Sequence, residues 1–106
     1  MKYFYHATSY DNLMPILKDG ILARNAERLV YMAETAEDAA KFLWIRGVPK
    51  ILCVKVKIPK SMEHNIMVSF DHSYNFFKCR SFGYSGDITT DMLCSTNTWV
   101  VFVRNK

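Results

Sequence analysis

The side chains able to do chemistry fall into three places along the 106-residue chain. Near its start His6 closes an aromatic run and is followed by the small residues Ala7, Thr8 and Ser9, so that a titratable ring stands at the end of a short strand. Further on, Tyr31 lies in the β-prone run Leu29, Val30, Tyr31, Met32, Ala33, where an aromatic ordinarily packs into a sheet. The third place interleaves aromatics with cations: Tyr74, Phe76, Phe77, Lys78, Arg80, Phe82 and Tyr84. Such a pattern stacks on bases and pairs with phosphates, although a core strand with a charged surface produces it equally well. His64 and His72 lack cysteine or carboxylate partners at ligand spacing, so no metal site is expected. Cys53, Cys79 and Cys94 are odd in number and show no C-x-x-C spacing, which reads as reduced thiols, with Cys79 a small hydrophobe rather than a nucleophile.

These residues need a scaffold, and hydrophobic periodicity supplies one. Residues 2–6 read as a strand and residues 7–9 as a turn. Leu13, Ile16 and Leu17 recur at helical spacing over residues 11–19, Pro15 is tolerable in the first turn, and Gly20 stops the helix. A second helix follows Thr35, an N-cap with Asp38 three residues on, and carries Ala36, Ala39, Ala40, Leu43 and Trp44 as its apolar stripe up to Gly47. The clearest strand is 50–58: Leu52, Val54, Val56 and Ile58 share one face, while Lys55 and Lys57 point to solvent on the other. Residues 65–70 and 76–84 read as further strands, residues 88–93 as a short segment after the Ser85, Gly86, Asp87 turn, and 98–104 as a final strand buried on both faces. Helices early and strands late give an α+β class, with two helices in the N-terminal half.

At 106 residues, of which 50% are hydrophobic and 14% aromatic, the chain suits one domain, residues 1–106, that folds without metal or disulfide staples. Fourteen Lys and Arg against ten Asp and Glu leave a charge of +4, a mild excess that fits a nucleic acid, a phosphate-bearing ligand or plain solubility. No apolar run reaches the roughly 18–20 residues of a membrane span, and Tyr3 to His6 is too polar for a signal-peptide core. The expectation is a cytoplasmic protein with no membrane partner.

Three motifs in order carry a resemblance. Tyr5-His6-Ala7-Thr8 precedes a helix ending Ile16-Leu17-Lys18-Asp19-Gly20-Ile21; Val30-Tyr31-Met32-Ala33 precedes an alanine-rich helix and the strand Ile51-Leu52-Cys53-Val54; Gly86-Asp87-Ile88-Thr89-Thr90-Asp91 precedes a terminal strand. The set resembles the ADP-ribosyltransferase fold in its His-Tyr-Glu branch, particularly the small bacterial DNA-targeting toxins and the RNA 2′-phosphotransferases, and so implies a single small domain with a central split, mostly antiparallel sheet. The resemblance implies NAD as substrate: His6 on a ribose, the Ala7 backbone on the nicotinamide amide, Thr8 or Ser9 adding a hydroxyl, and Tyr31 stacking on the nicotinamide ring. It further implies a protein or nucleic-acid acceptor and a toxin, phage-effector or housekeeping setting.

Departures from the family pattern fall at Ala7, where Gly is usual, at Ala33, where Ser or Thr is usual, and at the third position. There the family places a glutamate, and this chain has Lys78, Cys79, Arg80, Ser81 and Phe82. Lys78 and Arg80 suit a phosphate, with Arg80 joining His6 and Tyr31 as candidate catalytic residues, while Glu34, Asp87 or Asp91 could supply a carboxylate from adjacent loops. Two alternatives therefore stand beside ADP-ribosyl transfer: a nucleotide- or partner-binding module without turnover, and NAD-dependent removal of an RNA 2′-phosphate.

Overall fold

The computed structural model describes residues 1–69 and 81–104. It is an α+β fold of two antiparallel three-stranded sheets. In chain order come β1 (Lys2–Ser9), a 3-10 turn (Tyr10–Asn12), α1 (Leu13–Asp19), β2 (Leu29–Met32), α2 (Ala36–Ile45), β3 (Lys50–Ile58), β4 (Ile66–Ser69), β5 (Ser81–Ser85) and β6 (Val100–Val103). One sheet has the order β1-β3-β6 and the other β2-β5-β4. They meet where Tyr5 and Ala33 exchange two backbone hydrogen bonds of 2.8 and 2.9 Å, and the α+β class expected from the element order holds.

Strand β3 organises the fold because both its faces are apolar over most of its length. Leu52, Val54, Val56 and Ile58 enter the main core, which also takes Phe4 from β1, Val30 and Met32 from β2, and Phe82 and Tyr84 from β5. Each such aliphatic side chain contributes about 1.5–3 kcal/mol on leaving water. On the opposite face Ile51 and Cys53 pack against Ala36 and Ala40 of α2, whose small side chains let helix and sheet approach closely. Thr35 caps α2 by accepting a 3.1 Å bond from the Asp38 amide. Burial, followed by the negative charge of Glu37, pushes the Cys53 thiol up to about 12, and its Sγ donates to the Ala36 carbonyl at 3.4 Å. It is a packed apolar group and not a nucleophile.

Three sequence expectations change. Strand β1 runs on through Ala7, Thr8 and Ser9, because all its residues find partners on β3, from Lys2 opposite Ile58 to Ser9 opposite Ile51. Among the described residues strand β6 is an edge and not a central strand, with β3 as its neighbour, so Val100 and Phe102 pack toward α2 while Val101 and Val103 stay 42% and 57% exposed. The 88–93 segment splits into a bridge at Ile88, a 3-10 turn at Thr90–Met92 and a bridge from Leu93 to Val56. Of the predicted strand 76–84, residues 76–80 lie outside the described residues.

Candidate functional site

Alternation along β1 decides where its chemistry faces. Phe4, His6 and Thr8 share one face; Phe4 is sealed in the main core, with its ring 4.9 Å from that of Phe82. Beyond it the core gives way to α1 and the loop after it, and the same face opens into a cleft of about 480 Å³. His6 and Thr8 form one wall; Asn12, Pro15, Ile16, Asp19, Gly20, Ile21, Leu22 and Arg24 form the rest. The volume lies within the range of about 300–1,000 Å³ usual for small-molecule sites.

His6 is fixed by a long-range bond. Its Nδ1 lies 2.8 Å from the Tyr31 carbonyl oxygen, and since a carbonyl can only accept, Nδ1 carries the proton. Burial lowers the His6 pKa from the ordinary histidine value and outweighs the Tyr31 bond, which acts in the other direction. The neutral ring therefore keeps Nε2 as an acceptor for a donor such as a sugar hydroxyl. Two residues along, the Thr8 hydroxyl accepts from Asn12 Nδ2 at 2.7 Å, which orients it at the cleft wall.

The opposite wall is an irregular loop held at fixed points. Gly20 ends α1 with φ +77°, and a Cβ there would lie 2.2 Å from the Ile88 carbonyl oxygen, so glycine is required both by conformation and by space. Ile21 and Ile88 exchange two 2.8 Å backbone bonds, and the Ala23 amide donates to Asp87 Oδ1 at 2.7 Å. Asn25 then clamps Leu29, accepting from its amide at 3.0 Å and donating to its carbonyl at 2.7 Å. Between these anchors the loop presents Arg24 to the cleft, with Asp19 at the end of α1 beside it in the lining.

The candidate residues are thus only partly gathered. His6 and Thr8 line the cleft; Ala7 faces the α2 cluster on the other side of the sheet, and Ser9 is not among the lining residues. Tyr31 reaches the site through its carbonyl, while its phenol, on the outer face of the second sheet and 40% exposed, donates to Glu27. Lys78 and Arg80, and with them Cys79 and His72, lie outside the described residues. No group of three or more potential metal ligands occurs among the described residues, and no helix is long and apolar enough to cross a membrane. Of the acids considered as substitutes, Asp87 accepts from the Ala23 amide, Asp91 accepts from the Thr89 hydroxyl and Glu34 is exposed, and none of the three is among the cleft's lining residues. No family model matches the chain, and no curated protein matches it.

Asn12, Asp19 and Arg24 were not legible as site residues. They sit on a 3-10 turn, a helix end and a loop, where no periodicity marks a face. The one available signal was Gly20, whose helix-stopping role places the residues around it at a chain reversal.

Proposed function

We propose that the cleft binds NAD and that the chain is an ADP-ribosyltransferase-like protein, passing ADP-ribose to a protein or nucleic-acid acceptor. The observation that carries this reading is the His6–Tyr31 bond: it joins the two motif residues, 25 positions apart, through the atom that sets the histidine tautomer. A neutral ring with a free Nε2 suits a ribose hydroxyl. The Thr8 hydroxyl adds a second polar contact, Arg24 supplies a cation for the pyrophosphate, and Asp19 is the sole carboxylate among the described lining residues.

In the proposed reaction the bond from ribose C1′ to the nicotinamide nitrogen breaks, and nicotinamide leaves with the electron pair. The ribose carbon becomes cationic in character, and the acceptor nucleophile adds to it and loses a proton. Asp19, the carboxylate among the described lining residues, is the group we assign to that developing charge.

NAD at a hundred times its dissociation constant should raise stability by about 2.7 kcal/mol, read as a thermal shift, and His6→Ala and Arg24→Gln should abolish the shift. Nicotinamide release on adding an acceptor extract, lost in Asp19→Asn, would establish turnover. Absence of both the shift and the release removes the proposal. A shift without release selects the binding-module reading, which the commitment of Asp87 and Asp91 to backbone and hydroxyl partners favours.

A further inference from the structure

The face of β1 turned away from the cleft carries a second arrangement. In the antiparallel register Tyr3 stands opposite Lys57 and Tyr5 opposite Lys55, and residues two apart on a strand share a face. The four side chains therefore form a square, two tyrosines on one strand and two lysines on the next. Helix α2 covers the neighbouring part of this face, over Ala7, Cys53 and Ile51, and Tyr5 packs at its border. Beyond that border Tyr3 is 52% exposed. The Lys55 ammonium lies 5.1 Å from the centre of the Tyr3 ring and 6.0 Å from that of Tyr5, within cation–π range of both.

We propose that this square is a binding surface for single-stranded nucleic acid, independent of the reading of the cleft and separated from it by the thickness of the sheet. Aromatic rings on an open antiparallel sheet offer stacking platforms for unpaired bases, and Tyr3 and Tyr5 are about 6.8 Å apart along the strand, twice the 3.4 Å rise per base. The lysines of the adjoining strand provide the cations that a phosphate backbone running beside stacked bases requires, and the +4 charge of the chain has the matching sign. An apolar protein partner would have to desolvate two lysines, and an acidic peptide would leave the rings without a role. A duplex keeps its base faces stacked internally and cannot use the tyrosines.

The test is fluorescence anisotropy with labelled U15, dT15 and a 15-base-pair duplex over a series of salt concentrations, with no NAD present. Both single strands should bind more tightly than the duplex, and preference for U15 or dT15 tells RNA from DNA as the partner. Tyr3→Ala should weaken binding about tenfold and Tyr3→Phe should restore it, because the ring and not the hydroxyl stacks. Lys55→Gln and Lys57→Gln should each flatten the salt slope by about 0.7, whereas Lys18→Gln on α1 should leave the affinity for the strands unchanged. Melting curves on each variant confirm folding, and Tyr3, being exposed, is the variant least able to unfold the chain. The proposal is overturned by no binding, by equal affinity for the duplex, by a folded Tyr3→Ala variant that binds as the parent does, or by equal competition from poly-glutamate, which would assign the surface to acidic proteins.

Discussion

The two walls of the cleft are built by opposite means. His6 and Thr8 stand on β1, whose eight residues are all paired with β3, itself the most deeply buried strand of the fold. Asp19 and Arg24 stand on a helix end and a loop that keep their place through a few bonds reaching across 64 or more positions of sequence, from Ile21 to Ile88 and from Ala23 to Asp87. A strand wall spreads its stability over many contacts, so single changes cost energy without moving the site. A loop wall concentrates its geometry in a few atoms, so single changes displace it. The groups that a ligand would grip are thereby divided between a stiff side and a deformable side.

The largest expected effect strikes the loop wall at its one sterically closed point. Gly20→Ala combines the strain of a positive φ with a Cβ placed against the Ile88 carbonyl, which together should cost about 4 kcal/mol in urea unfolding. By contrast Gly83, in the second sheet, would set a Cβ 3.3 Å from the movable Leu29 Cδ1, so Gly83→Ala should stay within about 1 kcal/mol of the parent. Equal losses at the two glycines would mean that the Gly20 to Ile88 contact does not lock the loop. Next in size, Leu52→Ala on the strand wall removes a side chain only 2% exposed and paired with Thr8, at a cost of about 3 kcal/mol. If the comparison holds, the folded Leu52→Ala variant still gives the full NAD-dependent thermal shift.

Asp87→Ala should reverse that balance. It removes the carboxylate that holds the Ala23 amide, for about 1–2 kcal/mol of stability, yet Arg24 is the next residue and should lose its position. The expected signature is a larger loss of NAD response than in Leu52→Ala despite the smaller loss of stability. A ligand response that instead follows stability across both variants would show that the two walls do not differ.

The same division explains what the sequence could tell. Alternation in Leu52, Val54, Val56 and Ile58 announces β3, and Thr35 with the alanine stripe announces α2, since periodic burial imprints itself on residue type. The α+β class follows from such elements, as does the strand that carries His6. Periodicity is silent where the backbone is irregular: Asp19 and Arg24 acquire meaning through Gly20 docking on Ile88, a contact between residues far apart in the chain. Neither could residue type tell that β6 lies at an edge, because a run of Trp99, Val100, Val101, Phe102 and Val103 reads as doubly buried whether or not a second neighbour exists. The Glu27–Tyr31 bond escaped notice for a related reason, as it spans the turn into β2 and matches no strand or helix spacing expected there.

The smallest effect is also the most specific, and it concerns the link between the walls and the second sheet. Burial holds the folded His6 pKa below the unfolded value of about 6.5, so on acidification the unfolded chain takes up the proton first. Stability from this source is complete above about pH 6.5 and declines as pH falls from there through the folded value. His6→Gln cannot titrate, so its stability should fall less steeply than that of the parent between pH 7 and pH 5, with the two curves parallel above. The same proton would convert Nε2 from acceptor to donor, so any response of the parent to a hydroxyl-bearing ligand should fade over the same interval. Parallel curves throughout, from urea midpoints at half-unit steps, would mean that His6 charges without resistance and that burial does not hold it in a desolvated, neutral state.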